Sequence, residues 1–283
     1  MKVTSPITIV KASGIREPFS EEKVVRSLAK SGLSLDTATQ TVNYLKNHLN
    51  EDMTTGAIYG QVSSYLQKNA PQENYFNYGL KRAVMDMGPS GYPFEILISD
   101  LLNLNNFKTE VGVTTQGKCV THEIDVIAQK EDKKYFIECK YHNTPGYKTD
   151  IQVALYTHSR FQDVNDVQLQ SNPTQTNFSW LITNTKVTSE VFDYCKCVGL
   201  MVTTWTHPDG KGLQDMIQSA GLHPVTLLYG IARSDIKVLL DRGIVTCARL
   251  KTAILNDQVN DLLDQKEKSQ ILENISRICK NNE

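Results

Sequence analysis

The stretch His122–Asn143, HEIDVIAQKEDKKYFIECKYHN, decides how the rest of the chain is read. Two apolar runs, Glu123–Ala128 and Tyr135–Cys139, flank the charged segment Lys130-Glu131-Asp132-Lys133. That is the pattern of a β-hairpin with strands rich in Ile, Val, Tyr and Phe. Centring the turn between Glu131 and Asp132 sets Gln129 opposite Lys134, Ile127 opposite Phe136 and Asp125 opposite Glu138. Alternation then puts Glu123, Asp125, Glu138 and Lys140 on one side of the sheet, and Ile124, Val126, Ile137 and Cys139 on the other. Two carboxylates directly opposed sit about 5 Å apart at Cβ and destabilise the sheet unless a cation intervenes. Asp125 and Glu138 are therefore candidate ligands for a hard divalent cation. Mg²⁺ (or Mn²⁺) takes oxygen ligands and keeps several waters, so two carboxylates and a substrate phosphate suffice. Lys140 beside them would orient an attacking water or neutralise charge in the transition state. The combination predicts metal-assisted phosphodiester hydrolysis.

Asp125, followed by Glu138-Cys139-Lys140, resembles the PD-(D/E)xK nuclease superfamily, in particular its Mrr-like restriction endonuclease branch. Upstream, GYPFEILISDLLNLNNF (91–107) is similar to the Mrr-type opening helix with its Phe-Glu pair. Downstream, DIQVALYTHSRF (150–161) carries Gln152 and Tyr156 four apart on one helical face. It resembles the Gln-x-x-x-Tyr element of some branches. The resemblance runs from about Gly91 to Trp205 and implies a metal-dependent endodeoxyribonuclease. On that resemblance Asp125 and Glu138 hold the metal, Lys140 assists the water, and Glu95 supplies a further carboxylate from the helix. Gln152 would position the scissile strand or the water. DNA is the implied substrate, and double-strand cutting would call for a homodimer, since one such site cuts one strand at a time.

Towards the N-terminus, Ile7–Lys11 and Ile15–Phe19 read as paired strands around Ala12–Gly14. Ser20 caps a helix that opens with Glu21 and Glu22 and stops before Gly32. Apolar stripes predict helices over Leu35–Leu49, Thr55–Gln67 and Glu73–Met87, and the unit closes at Gly88-Pro89-Ser90-Gly91. The opening IVKASGIREPFSEEKVVRSLAKSG is similar to the ATP-cone, a nucleotide-binding regulatory module, through Val10-Lys11, Gly14, Phe19, Lys23 and Leu28-x-x-Ser31-Gly32. The final helix adds Tyr78-x-Leu80-x-Arg82-Ala83. The resemblance implies that Lys11 and Lys23 meet the phosphates of an ATP or dATP effector, as ammonium point charges do. The module usually has Lys-Arg where this chain has Lys11-Ala12, which removes one phosphate contact.

Beyond the hairpin, Asp163–Asn177 reads as a polar loop near substrate, Phe178–Thr183 and Leu200–Trp205 as strands, and Ser189–Val198 as a helix. Trp180 and Trp205 are expected as core fillers. From His207 onward the pattern is helical: Gly212–Ala220, Pro224–Tyr229, Ser234–Asp241 and Cys247–Glu283, the last broken near Asn256. The run SDIKVLLDRGIVTCARL is weakly similar to a helix-hairpin-helix element, without its Gly-hydrophobic-Gly turn. It makes Arg233, Lys237, Arg242, Arg249 and Lys251 candidates for DNA-phosphate contacts.

The expected fold is a multidomain α/β chain. Residues 1–88 form a small α+β ATP-cone-like domain, 89–208 a restriction-endonuclease-like core with a mixed sheet, and 209–283 a helical domain. No apolar run approaches a membrane span and MKVTSPITIVKASG lacks a signal h-region, so a cytoplasmic protein without a membrane partner is expected. Six cysteines without a Cys-x-x-Cys pair or a partnered His spacing argue against a zinc site. Residues 91–208 hold 10 Lys+Arg against 13 Asp+Glu, so without bound cations this segment is expected to hold DNA poorly. The same elements also admit a nucleotide-sensing, DNA-binding regulator with a non-cleaving core. The intact set Asp125, Glu138 and Lys140 favours the enzyme.

Overall fold

The computed structural model describes residues 7–278. Residues 1–6 of the N-terminal reading and the last five positions of the predicted C-terminal helix, Cys279 among them, lie outside them. The N-terminal unit begins with β1 (Thr8–Val10) and β2 (Arg16–Pro18), an antiparallel pair, followed by α1 (Glu21–Lys30) and α2 (Leu35–Lys46). A two-residue strand, β3 (Met53–Thr54), runs parallel to β1 and leads into α3 (Thr55–Asn69) and α4 (Gln72–Met85). The side chains of Ser20, Ser34 and Thr54 each accept from the amide three residues on, which fixes where α1, α2 and α3 start. Leu28, Leu45, Val62, Leu66 and Leu80 are fully buried between these helices.

The central unit starts with α5 (Tyr92–Leu104) and the strands β4 (Lys108–Gln116), β5 (Thr121–Lys130) and β6 (Lys133–Lys140). A short β7 (Lys148–Thr149) precedes α6 (Ile151–Ser171), then β8 (Thr176–Thr183), β9 (Lys186–Val187), α7 (Ser189–Val198) and β10 (Met201–Thr203). The main sheet has the order β10-β8-β6-β5-β4. Strands β4, β5 and β6 are antiparallel, while β6, β8 and β10 are parallel, joined through the α6 and α7 crossovers. The chain is a mixed α/β protein, with α5 on one face of this sheet and α6 on the other. The hairpin register is as expected at Gln129↔Lys134 and Ile127↔Phe136.

Two expectations are corrected. The polar loop predicted over 163–177 is mostly helix, because α6 continues to Ser171. Val164, wholly buried against Ile124 and Phe136, extends the stripe of Thr157 and Phe161 by another turn. The helix predicted over 224–229 is one 3₁₀ turn, Val225–Leu227, since Leu228 is extended and Val225 N–H bonds to Val245 O.

The C-terminal segment supplies α8 (Leu213–Ala220), α9 (Arg233–Asp241), α10 (Cys247–Leu255) and α11 (Gln265–Ile278). Its Leu213, Val225, Leu250 and Ile275 share one apolar cluster with Leu80 and Val84 of α4 and Leu97 and Leu101 of α5. Arg249 forks onto Asp100 of α5 with two bonds of 2.6 Å, and Arg242 is paired with Asp261. Two of the five basic side chains proposed for DNA are thus committed to carboxylates within the fold. No helix among the described residues is long and apolar enough to cross a membrane.

Candidate active site

Helix α5 buries Phe94, Leu97, Ile98 and Leu101 completely, which leaves Glu95 in its first turn half-buried at the edge of the sheet. Across from it, the β5–β6 ladder ends at Val126↔Ile137. The next link is made by a side chain: the Asp125 carboxylate accepts the Cys139 backbone N–H at 2.7 Å. Glu138 is buried, 9% exposed, and both its oxygens are engaged by α6. Tyr156 donates its hydroxyl to Oε1 at 2.6 Å, and Arg160 donates from Nη1 to Oε2 at 2.6 Å. The same guanidinium reaches the Glu123 carbonyl oxygen at 3.2 Å and lies 5.3 Å from the centre of the Tyr156 ring.

The electrostatics follow from crowding. Burial, then the charges of Asp125, Glu123 and Glu138, push Glu95 up to about 7. Asp125 is pushed up to about 6 by burial and by Glu138, against the opposing pull of the Cys139 amide and Arg160. Burial raises the Tyr156 hydroxyl, and its bond to Glu138 raises it further. The buried Cys139 thiol, raised by burial and by Asp125, Glu95 and Glu138, is no nucleophile at neutral pH. Glu95, Asp125 and Glu138 are thus gathered within electrostatic reach of one another.

Regular alternation breaks at Asp125. Ile124 was expected beside Val126, yet it packs with Phe136 and Val164 on the α6 face, while Val126 lies in the core on the α5 face. The β4–β5 register is the same on either side of this point, Val111↔Val126 and Val113↔Ile124, which sets Asp125 opposite Gly112, whose φ of +64° suits glycine. Among the described residues no three His, Cys, Asp or Glu side chains are grouped closely enough to hold a metal as placed.

Lys140 ends β6 half-exposed and makes no ion pair with a described carboxylate. Its charge, after burial, lowers the pKa of His142, whose ring bonds to Thr149. Gln152 is exposed in the first turn of α6, its backbone amide on the capping Asp150, and Tyr156 and Arg160 one and two turns later make the contacts to Glu138. Arg160 escaped the sequence reading, although it continues the stripe of Gln152 and Tyr156 at the same four-residue step. Asp163 escaped it too: it accepts from the amides of Cys119 and Val120 and from the His122 ring, tying the β4–β5 turn to α6. A Cβ on Gly117 would lie 2.1 Å from that carboxylate, so the turn needs glycine there. In the N-terminal unit Lys11 and Lys23 both hold Glu17, at 2.6 and 3.1 Å, and keep its carboxyl below the usual range. A cavity of about 1350 Å³ lies between α5, α7, α8 and β10, and none of Glu95, Asp125 and Glu138 lines it.

No family model matches the sequence. An uncharacterized protein of Archaeoglobus fulgidus is 39% identical over 153 residues, a match covering 54% of this chain and 83% of that protein. The chain belongs to the same family as this uncharacterized archaeal protein. It is also similar to the crystal structure of a protein of unknown function, AF1548, with a TM-score of 0.56 and 30% identity over 68% of this chain and all of that one.

Proposed function

We propose that this protein is a Mg²⁺-dependent (or Mn²⁺-dependent) DNA endonuclease of PD-(D/E)xK, Mrr-like type, regulated by ATP or dATP at its N-terminal unit. The observation that carries the reading is the gathering of Glu95, Asp125 and Glu138 at the end of a hairpin that closes with Lys140. Two of these carboxyls are driven up to about 7 and 6, partly by their neighbours' charges. The donor set suits a hard cation in its chemistry, being all oxygen, half-buried to buried and over-supplied with negative charge, while as placed no three of these side chains converge on one point, so a bound ion would have to draw them together. Asp125 and Glu138 would hold the ion, with Glu95 as outer ligand or water holder. The ion would supply charge stabilisation at the phosphate and a more acidic water. The chain's own part is to orient: the Cys139 amide fixes the Asp125 carboxylate and Tyr156 fixes Glu138. Lys140, without an ion-pair partner among the described carboxylates, would neutralise charge on the phosphate or hold the water, and Gln152 would face the scissile strand.

The test is plasmid nicking with Mg²⁺ or Mn²⁺, with and without ATP. Asp125→Ala and Lys140→Ala should each lower the rate by about 10²–10³-fold, the usual effect of removing a charge-stabilising group. Full activity in either folded variant ends the reading. One observation favours a second reading, a nucleotide-sensing DNA-binding regulator with a non-cleaving core: both Glu138 oxygens are already engaged. Metal-independent DNA binding by a wild-type protein that never nicks would decide for it.

A further inference from the structure

Arg160 is out of place if α6 only supports a metal ligand. A buried ionised carboxylate needs a counter-charge, and Arg160 provides one to Glu138 from a side chain that is itself 28% exposed. Its charge also acts on Asp125. It therefore stands, as one positive charge, where the carboxylate cluster would draw a divalent cation. A guanidinium and a divalent cation on the same carboxylate repel each other, so one must give way. Tyr156 differs, because it is neutral and sits on the other oxygen, compatible with a cation at Oε2. Arg160 also has somewhere to go: its helix borders the site, and a fork of five donors matches two phosphate oxygens better than it matches one carboxylate oxygen.

We propose that Arg160 is the built-in counter-cation of this site, seated on Glu138 until a divalent ion displaces it and then free to grip the phosphate of the bound nucleic acid. The inference rests on the endonuclease reading and assigns to it a phosphate-binding residue, coupled to metal binding, that the motif does not contain. In this arrangement the metal-free protein keeps its carboxylates ordered, and metal binding exposes the phosphate-gripping group only when hydrolysis is possible.

The experiment compares wild type, Arg160→Gln, Arg160→Lys and Tyr156→Phe by calorimetric Mn²⁺ titration of the metal-free proteins, by melting with and without Mn²⁺, and by nicking. Arg160→Gln should bind Mn²⁺ about tenfold more tightly, since a competing positive charge is gone. It should melt lower than wild type without metal and recover more when Mn²⁺ is added. Its nicking rate should nonetheless fall by about 10²-fold for want of the phosphate contact. Arg160→Lys should bind Mn²⁺ like wild type, and Tyr156→Phe should change Mn²⁺ affinity less than about threefold. If Arg160→Gln does not fold, Arg160→Lys binding Mn²⁺ much more tightly than wild type would count against a role of charge. Folded Arg160→Gln that binds Mn²⁺ no more tightly than wild type overturns the inference while leaving the nuclease reading intact. Wild type that neither binds Mn²⁺ nor nicks overturns both.

Discussion

Two places in this molecule gather charge, and they do so in opposite senses. At the β5–β6 hairpin Glu95, Asp125 and Glu138 crowd one another under partial burial, Arg160 pairs with Glu138 alone of the three, and Glu95 and Asp125 are pushed up to about 7 and 6. At the β1–β2 hairpin two lysines share one carboxylate near the surface, and Glu17 is held down. The sequence presents both as charged residues beside strands. What separates them is the sign of the imbalance: the first has negative charge that its own cations do not cover, the second has one carboxylate covered by two lysines. A cation would relieve the first, whereas an anion must compete to enter the second.

The Arg249–Asp100 pair sharpens this contrast, since it combines the burial of the first place with the pairing of the second. Asp100 is 14% exposed at its side chain and takes both bonds of the fork. Arg249→Ala would leave that carboxylate unpaired between α5 and the C-terminal helices. A loss of about 2 kcal/mol is expected, below the value for a fully buried pair because the guanidinium is half in water. Urea unfolding measures it; a loss under about 0.5 kcal/mol would mean that pairing at this depth is worth no more than at the surface.

Glu95→Gln tests the uncovered negative charge directly. Glu95 in the folded protein is pushed up to about 7 from an ordinary value of 4.5, so between these values the folded state holds a proton that the unfolded state has lost. Stability from this group is therefore full below pH 4.5 and falls as pH rises to about 7. Half-exposed, the group is screened, and the cost at pH 8 comes to about 1 kcal/mol. Glu95→Gln should melt about 2–4 °C above wild type at pH 8 and level with it at pH 4. Saturating Mg²⁺ should erase the pH 8 advantage. An equal advantage at both pH values would show that crowding of charge is not the cause.

How much of this was legible depends on what each element needed. The β5–β6 register could be read because a tight turn between apolar runs leaves a one-residue slip no way to keep Val126 and Ile137 buried. The break in alternation at Asp125 could not, because it lies where β5 faces Gly112 of β4, and β4 itself was passed over despite its half-buried alternation of Thr109, Val111, Val113 and Thr115. The continuation of α6 through a polar segment was hidden because a single valine, Val164, carries its packing. Glu95, Asp125 and Glu138 were singled out from the motif, and they lie within electrostatic reach of one another. Arg160 was not, since its role appears only when the α6 stripe is laid against Glu138. The two-residue strand β3 has no periodicity to read; it exists because β1 offers it an edge.

The smallest expected effect bears on the N-terminal unit and decides whether its closed charge set is a site at all. Glu17 lies on a surface hairpin, and exposed ion pairs contribute little, so Glu17→Gln should scarcely move the melting temperature. Its effect should appear in binding. Lys11 and Lys23 converge on Glu17 from the turn after β1 and from α1, a spacing set by the carboxylate they share. A triphosphate approaching them must first displace that carboxylate, and removing its charge should raise ATP affinity by about threefold to tenfold at low salt, with the gain fading as salt screens the lysines. Calorimetry on wild type, Glu17→Gln and Lys11→Ala separates the outcomes. Tighter binding in the first variant and weaker binding in the second would make Glu17 an internal stand-in for phosphate. No ATP binding by any of the three at millimolar concentration would leave the lysines as the hairpin's own neutralisation, and the contrast with the central site would then be one of covered against uncovered charge.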